Sequence, residues 1–294
     1  MDLPLPNIEP EPPFALTLPE AQTVPIVFVS AHSGRRYTAA FLAAARLDAL
    51  TLRRSEDSFV EELFAAAPSL GAPLLAAHFP RAFCDPNREA WELDPDMFEG
   101  ALPDWVNTKS ARVGAGLGTI ARVVGSGEAI YRDKLRFADA EERVRECWEP
   151  FHAALRDTID ATRARFGACL VIDCHSMPGT GLAPRMPADF VVGDAHGTAC
   201  APRATRLVER TLANLGYAVR RNDPYAGGFI TRNYGRPRED VHAIQVEICR
   251  TLYMDEQQIE RSRRFDRLRQ NMTDFIATLA SQIEAAGLNI RALG

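Results

Sequence analysis

Two histidines, His32 in "VSAHSG" and His175 in "VIDCHSMPG", each stand where an apolar run gives way to polar residues and a turn. A neutral imidazole can ligate a metal or carry a proton, and the end of a buried strand is a rigid mount for either task. Between them, "SEDSFVEEL" offers the adjacent carboxylates Glu56 and Asp57 at the start of a run with helical spacing. His32, Asp57 and His175 have the residue types of an open zinc site: two imidazoles and one carboxylate, with a fourth position left for water. Neighbouring residues in a helical turn point in different directions, so only one of Glu56 and Asp57 can face the strand ends. The sequence leaves that choice open.

Glu247 interrupts the apolar strand pattern "AIQVEICR", where alternation places it on the face of Gln245 and Cys249, opposite Val246 and Ile248. A carboxylate buried there is costly unless it is paired, metal-linked or protonated. Two readings follow: a general base beside a metal-activated water, or a structural ion-pair partner of Arg250. Ser176 directly follows His175, but no G-x-S-x-G turn surrounds it and a metal-bound His175 could not take its proton, so water is the expected nucleophile.

The loop "RAFCDPNR" gathers Arg81, Asp85, Asn87 and Arg88, a set suited to an anion because the guanidinium fork matches a carboxylate; Asp-Arg pairs that merely stitch the loop are the plain alternative. In "DPYAGGFITRNYG", Gly227 and Gly228 permit close backbone approach or a moving flap. His152 lies beside the apolar stripe of a long helical stretch and reads as a core histidine or a support for the site. "GAGLG" at 114–118 lacks the preceding strand and the Lys-Ser/Thr ending of a phosphate loop.

These residues need a scaffold that brings distant strand ends together. "VPIVFVSA", "APLLAAHF", "ACLVIDCHS", "ADFVVGD", "GYAVRRN" and "HAIQVEICR" read as strands, alternating with amphipathic helices such as "DAEERVRECWEPFHAALRDTIDATRARFG", which Pro150 is expected to bend. Ser55 is a candidate N-cap that sets Glu56 and Asp57 in a first helical turn, and the last helix is read from Asp255 onward. Such alternation implies an α/β fold, a largely parallel sheet with helices on both faces, and places a site at the carboxyl ends of its strands. Residues 1–23, rich in proline and acid, read as a tail with order beginning near Val24, and 24–294 as a single domain.

The 294 residues carry 34 basic and 39 acidic side chains, a net charge of −5 with no run of one sign, which argues against a nucleic-acid partner. No apolar stretch is long enough to span a membrane and no signal segment is recognisable, so a cytoplasmic protein is expected. The six scattered cysteines form no CxxC pair and read as reduced, buried thiols. Nothing in the sequence fixes an oligomeric state.

Taken in order, "VSAHSG", "SEDSFVEEL", "RAFCDPNR", "EPFHAAL", "VIDCHSMPG", "NDPYAGGFIT" and "HAIQVEICRTLYMDE" resemble the N-formylglutamate amidohydrolase family from about Val24 to Asp255. The resemblance implies a three-layer α/β/α fold with a mixed sheet, similar to zinc carboxypeptidases and aspartoacylase, and one zinc ion whose activated water attacks an amide carbonyl. It also implies that His32, Asp57 and His175 are the ligands, with Glu56 as the rival carboxylate, and that Glu247 is the catalytic glutamate. Asn87 with Arg88 would hold the substrate carboxylate, helped by Arg81 and the Gly227–Gly228 segment, while Asp173 and His152 support the site from behind. The implied substrate is a small acidic N-acyl amino acid, N-formyl-L-glutamate, cleaved to formate and L-glutamate in histidine breakdown. Hydrolysis of another N-acyl amino acid or peptide-type amide, and a metal-stabilised binding protein without turnover, are the alternatives.

Overall fold

The computed structural model describes residues 12–179 and 188–283. Seven strands form one mixed sheet in the order β1-β3-β2-β4-β7-β5-β6. They are β1 (Phe14–Thr17), β2 (Ile26–Ser30), β3 (Leu74–Ala77), β4 (Cys169–Met177), β5 (Phe190–Gly193), β6 (Val219–Arg221) and β7 (Val241–Cys249). β3, β2, β4 and β7 run parallel. β1 is antiparallel to β3, and β5, itself parallel to β6, is antiparallel to β7. The helices in chain order are α1 (Ala39–Ala44), α2 (Ala49–Arg53), α3 (Val60–Leu63), α4 (Ala111–Gly114), α5 (Phe137–Arg143), α6 (Glu149–Phe166), α7 (Pro202–Asn214), α8 (Phe229–Tyr234) and α9 (Phe265–Gln282).

β2, β4 and β7 are buried over their whole length, which is why they read as apolar runs rather than as alternating patterns. One face of the sheet packs Phe28, Ile172, Cys174, Val246 and Ile248 against α3, α7 and α9 side chains such as Val60, Val208 and Phe275. The other packs Val27, Val29, Val171 and Ala243 against Phe151, Leu155 and Ile159 of α6. On this second face β4 continues from Val171 to Asp173 and His175, and β7 from Ala243 to Gln245 and Glu247. The same side of the sheet thus changes from oil to charge toward the strands' carboxyl ends.

Three expectations need correction. Order does not begin near Val24: Phe14–Thr17 adds an edge strand to β3, in register from Phe14 opposite Ala77 to Thr17 opposite Leu74. Pro13 and Pro19 bracket that strand, as suits an edge that must not recruit another chain. Residues 1–11 and 284–294 lie outside the described residues. Ser55 caps no helix; α3 begins only after Phe59, whose φ of 67° breaks the chain direction, so Glu56 and Asp57 sit in the turn before it. Pro150, which cannot donate an amide, follows a π-helical turn over Val144–Trp148 that joins α5 to α6. The last helix starts at Phe265 rather than at Asp255, because Met254–Asp255 and Glu260–Arg261 pair as a small hairpin. None of the helices among the described residues is long and apolar enough to cross a membrane.

Candidate active site

His32 lies just past β2, and His175 near the end of β4 directly beside Glu247 of β7. The two imidazole rings meet edge to face, with centroids 4.6 Å apart. Asp57 closes the group: its Oδ2 is 2.9 Å from His175 Nδ1 and 3.4 Å from His32 Nδ1. All three residues are buried, and together they form a group able to hold a metal ion. Glu56 turns the other way, receiving Arg53 Nε at 3.1 Å and the Ser58 hydroxyl at 2.8 Å.

Each imidazole is backed by a carboxylate on its far nitrogen. His32 Nε2 donates to Asp85 Oδ1 at 2.7 Å, and His175 Nε2 stands 2.8 Å from Asp173 Oδ1, a charge contact out of hydrogen-bond alignment. With Nε2 committed to Asp85, His32 Nδ1 is left buried without a hydrogen-bond partner and aimed at Asp57. A buried acceptor in that state is expensive in an apolar interior, and a cation shared with Asp57 and His175 would satisfy it. The residues present therefore fit a divalent metal with nitrogen and oxygen ligands.

Electrostatics divide the acids into two kinds. Burial pushes the Asp57 carboxyl up, but hydrogen bonds and charge from His175 and His32 outweigh it and hold Asp57 well below the usual range. Burial likewise acts on Asp85 and is overcome by Arg81, His32 and Arg88. Glu247 goes the other way. Burial, with Asp57 and Asp173 adding to it, outweighs the pull of His175 and Arg81 and raises the carboxyl to about 7. Arg250, the partner considered for Glu247, instead binds Asp57 Oδ1 at 3.0 Å and Ser176 Oγ at 3.0 Å, along with the carbonyls of Arg54 and Glu56. Ser176 in turn donates to Asp57 Oδ1 at 3.0 Å, so its hydroxyl is occupied on both sides.

The "CDPNR" loop forms one wall. Arg81 donates to Asp85 Oδ2 at 2.7 Å. Asn87 points its amide nitrogen at His175 Nε2, 3.1 Å away, and accepts from the Ile230 amide at 2.8 Å. Arg88 gives Nε to the Leu117 carbonyl and Nη1 to the Asn87 carbonyl, and its Nη2 stands 3.8 Å from Asp85. Gly228 packs so tightly on Asn87 that a Cβ there would lie 2.4 Å from the Asn87 amide, and Gly227 adopts φ +119°. Gln245 links this segment to Glu247, accepting from Gly228 N at 2.8 Å and donating to Glu247 Oε1 at 2.7 Å. His152 touches none of these groups; it donates to the Pro86 carbonyl and accepts from Tyr234, each at 2.8 Å, and burial lowers its pKa to about 4. Its link to the site runs through the backbone of the loop that carries Asn87.

These residues surround a cleft of about 370 Å³ lined also by Arg54, Arg112, Tyr225 and Arg232. No pattern in the sequence marked Asp85 as part of the metal group, or Gln245 and Arg250 as part of the site beyond their nearness to Glu247. Asp85 sits two residues from Asn87 and Arg250 three from Glu247, so proximity to named residues was the available signal.

The N-formylglutamate amidohydrolase family model matches residues 24–254. N-formylglutamate deformylase of Pseudomonas aeruginosa is 33% identical over 243 residues, covering 80% of this chain and 84% of that protein. The Pseudomonas putida N-formylglutamate deformylase is 30% identical, covering 79% and 83%. The crystal structure of N-formylglutamate amidohydrolase from Ralstonia eutropha JMP134 superposes with a TM-score of 0.88 at 39% identity, covering 93% of this chain and 99% of that one. A gene product of Agrobacterium tumefaciens, 15% identical, shares the fold at a TM-score of 0.65 over 93% of this chain and 96% of its own. The chain belongs to the N-formylglutamate amidohydrolase family and is a hydrolase.

Proposed function

We propose that this protein hydrolyses N-formyl-L-glutamate to formate and L-glutamate, with one zinc ion held by His32, Asp57 and His175. The observation that carries the reading is the convergence of two carboxylate-backed imidazoles and Asp57, beside a buried Glu247, in a cleft rich in arginine. The names of the relatives supply the substrate. Zinc bound there would supply Lewis acidity toward the formyl oxygen and the attacking water.

The chain's own residues carry the rest. Glu247, with a pKa near neutrality, takes a proton from the attacking water and passes it to the departing amine nitrogen, so that the C–N bond breaks as formate is released. Asp85 and Asp173 hold the imidazole rings in orientation, and Arg250 fixes the Oδ1 side of Asp57 so that Oδ2 faces the histidines. Arg88, with Arg81, supplies positive charge for the substrate's α-carboxylate, and the Gly227–Gly228 segment lets the backbone close on Asn87.

The test is formate release from N-formyl-L-glutamate by purified protein, repeated after exhaustive chelation and again after zinc is returned. Turnover should be lost and then restored, with about one zinc bound per chain, as expected of a three-ligand catalytic site. Full activity in metal-free protein would sink the zinc mechanism, and zinc-loaded protein that releases no formate would sink the substrate.

A further inference from the structure

Among the described residues, six arginines line the cleft, against three carboxylates, Asp57, Asp85 and Glu247. Two of the six are committed, Arg81 to Asp85 at 2.7 Å and Arg250 to Asp57 at 3.0 Å. Arg88 is largely committed to main-chain carbonyls. Arg54, Arg112 and Arg232 are exposed at the mouth, and among the described residues their guanidinium groups make no ion pair or hydrogen bond. A substrate with a single carboxylate needs one guanidinium fork. The rim offers more positive charge than such a substrate can use.

Two of the three converge on the Asn87–Arg88 wall. The Leu117 amide donates to the Arg112 carbonyl at 2.8 Å, and the Leu117 carbonyl accepts Arg88 Nε at 2.8 Å, which sets Arg112 next to Arg88. Arg232 rides on α8, whose first turn is pinned to Asn87 through the Ile230 amide at 2.8 Å. Arg54 belongs elsewhere, on the loop that Arg250 clamps beside Asp57. The Arg112 charge acts against the buried Arg88 guanidinium, and an anion placed between like charges relieves such repulsion.

We propose that Arg112 and Arg232 form a second anion subsite beside Arg88, which takes the side-chain carboxylate and makes the enzyme selective for dianionic N-acyl amino acids. The proposal rests on the hydrolase reading above. It assigns the α-carboxylate to Arg88 and the side-chain carboxylate to two residues that the sequence did not mark as binding residues. Discrimination of this kind is strong when a site is built to bind a charged group and the competing substrate lacks it.

N-formyl-L-glutamine is the informative competitor, since it matches N-formyl-L-glutamate in shape and lacks only the second charge. We expect wild-type, zinc-loaded enzyme to favour N-formylglutamate by at least about 100-fold in kcat/KM. Arg112→Gln and Arg232→Gln should each cut that ratio about tenfold, chiefly through KM for N-formylglutamate, and the double variant should bring it near unity. Arg112→Lys should recover part of the preference. Both side chains are exposed, so folding can be checked independently by circular dichroism and bound zinc. An active wild type whose preference survives the double substitution within about threefold, a change too small to represent a lost charged contact, overturns the subsite alone. A zinc-loaded wild type that releases formate from neither substrate overturns the hydrolase reading with it.

Discussion

Among the described carboxylates that line the cleft, Glu247 alone has its acidity weakened; Asp57 and Asp85 are pulled toward stronger acidity by their cationic neighbours. That division suits a site in which two acids anchor and one moves protons. The base must be ionised to act, so kcat/KM should fall as pH drops through about 7, and a cation held by the neighbouring histidines would move that limb lower still. Glu247→Gln should lower kcat by about 10²–10⁴-fold while zinc stays bound, since the substituted amide would keep an acceptor for Gln245. Formate assay and metal analysis on one sample check this; a variant within about tenfold of wild type would remove Glu247 from the chemistry. Much of this was readable from single residues, because a Glu in an apolar strand and a His at a strand end are conspicuous. The roles of Asp85 and Arg250 were hidden, because they consist of contacts across 53 and 193 residues of chain.

The site's elements are joined by two joints that the sequence only half disclosed. Arg250 leaves the end of β7 and ties the 54–57 turn and Ser176 together through hydrogen bonds to Ser176, Asp57 and the carbonyls of Arg54 and Glu56. Arg250→Gln removes the guanidinium from the buried Asp57 Oδ1 and from the Arg54 and Glu56 carbonyls, leaving Asp57 only its Ser176 and histidine contacts, and should destabilise the fold by about 3 kcal/mol, read from the urea midpoint. It should also weaken zinc binding, because Asp57 would be free to turn; unchanged zinc affinity in a folded variant would refute that role. The second joint is Gly228 against Asn87. Gly228→Ala drives a methyl into the Asn87 amide and should cost about 1–3 kcal/mol in stability. Its larger effect should fall on kcat, since Asn87 also touches His175; normal turnover would mean that Asn87 is only a wall. The glycine pair in "YAGGF" signalled close approach, but not to what. The strands themselves were legible as apolar runs of strand length, whereas the reversal of β5 depends on pairing with β7, and the misplaced Ser55 cap depends on a left-handed Phe59 that no residue type announces.

At the scale of the molecule, the helical layer and the site wall share one buried histidine. His152 of α6 lies with its ring centroid 3.9 Å from that of Trp148, hydrogen-bonded to Tyr234 of α8 and to the Pro86 carbonyl, so it joins helix, helix and loop in its neutral form. Burial holds its pKa near 4, whereas the unfolded chain takes up a proton at about the ordinary histidine value of 6.5. The folded state binds fewer protons in that interval, so stability present above pH 6.5 is lost as pH falls toward 4, by about 3 kcal/mol in all. His242, also lowered by burial, contributes in the same direction. Asp57 and Asp85, held well below their ordinary range, act in a separate and more acidic window, losing their contribution only as they protonate. Glu247 and Glu61, both raised to about 7 by burial, bind more protons in the folded state over the same interval and so act in the opposite direction. The His152 contribution is therefore read by difference: between about pH 7 and about pH 4.5 the urea midpoint of the wild type should decline relative to that of His152→Gln, which keeps a neutral donor and acceptor. An unchanged slope in that variant would place the acid sensitivity elsewhere. A relative decline of that size would show that the wall carrying Asn87 and Arg88 is held to the helical layer by a group that must stay uncharged.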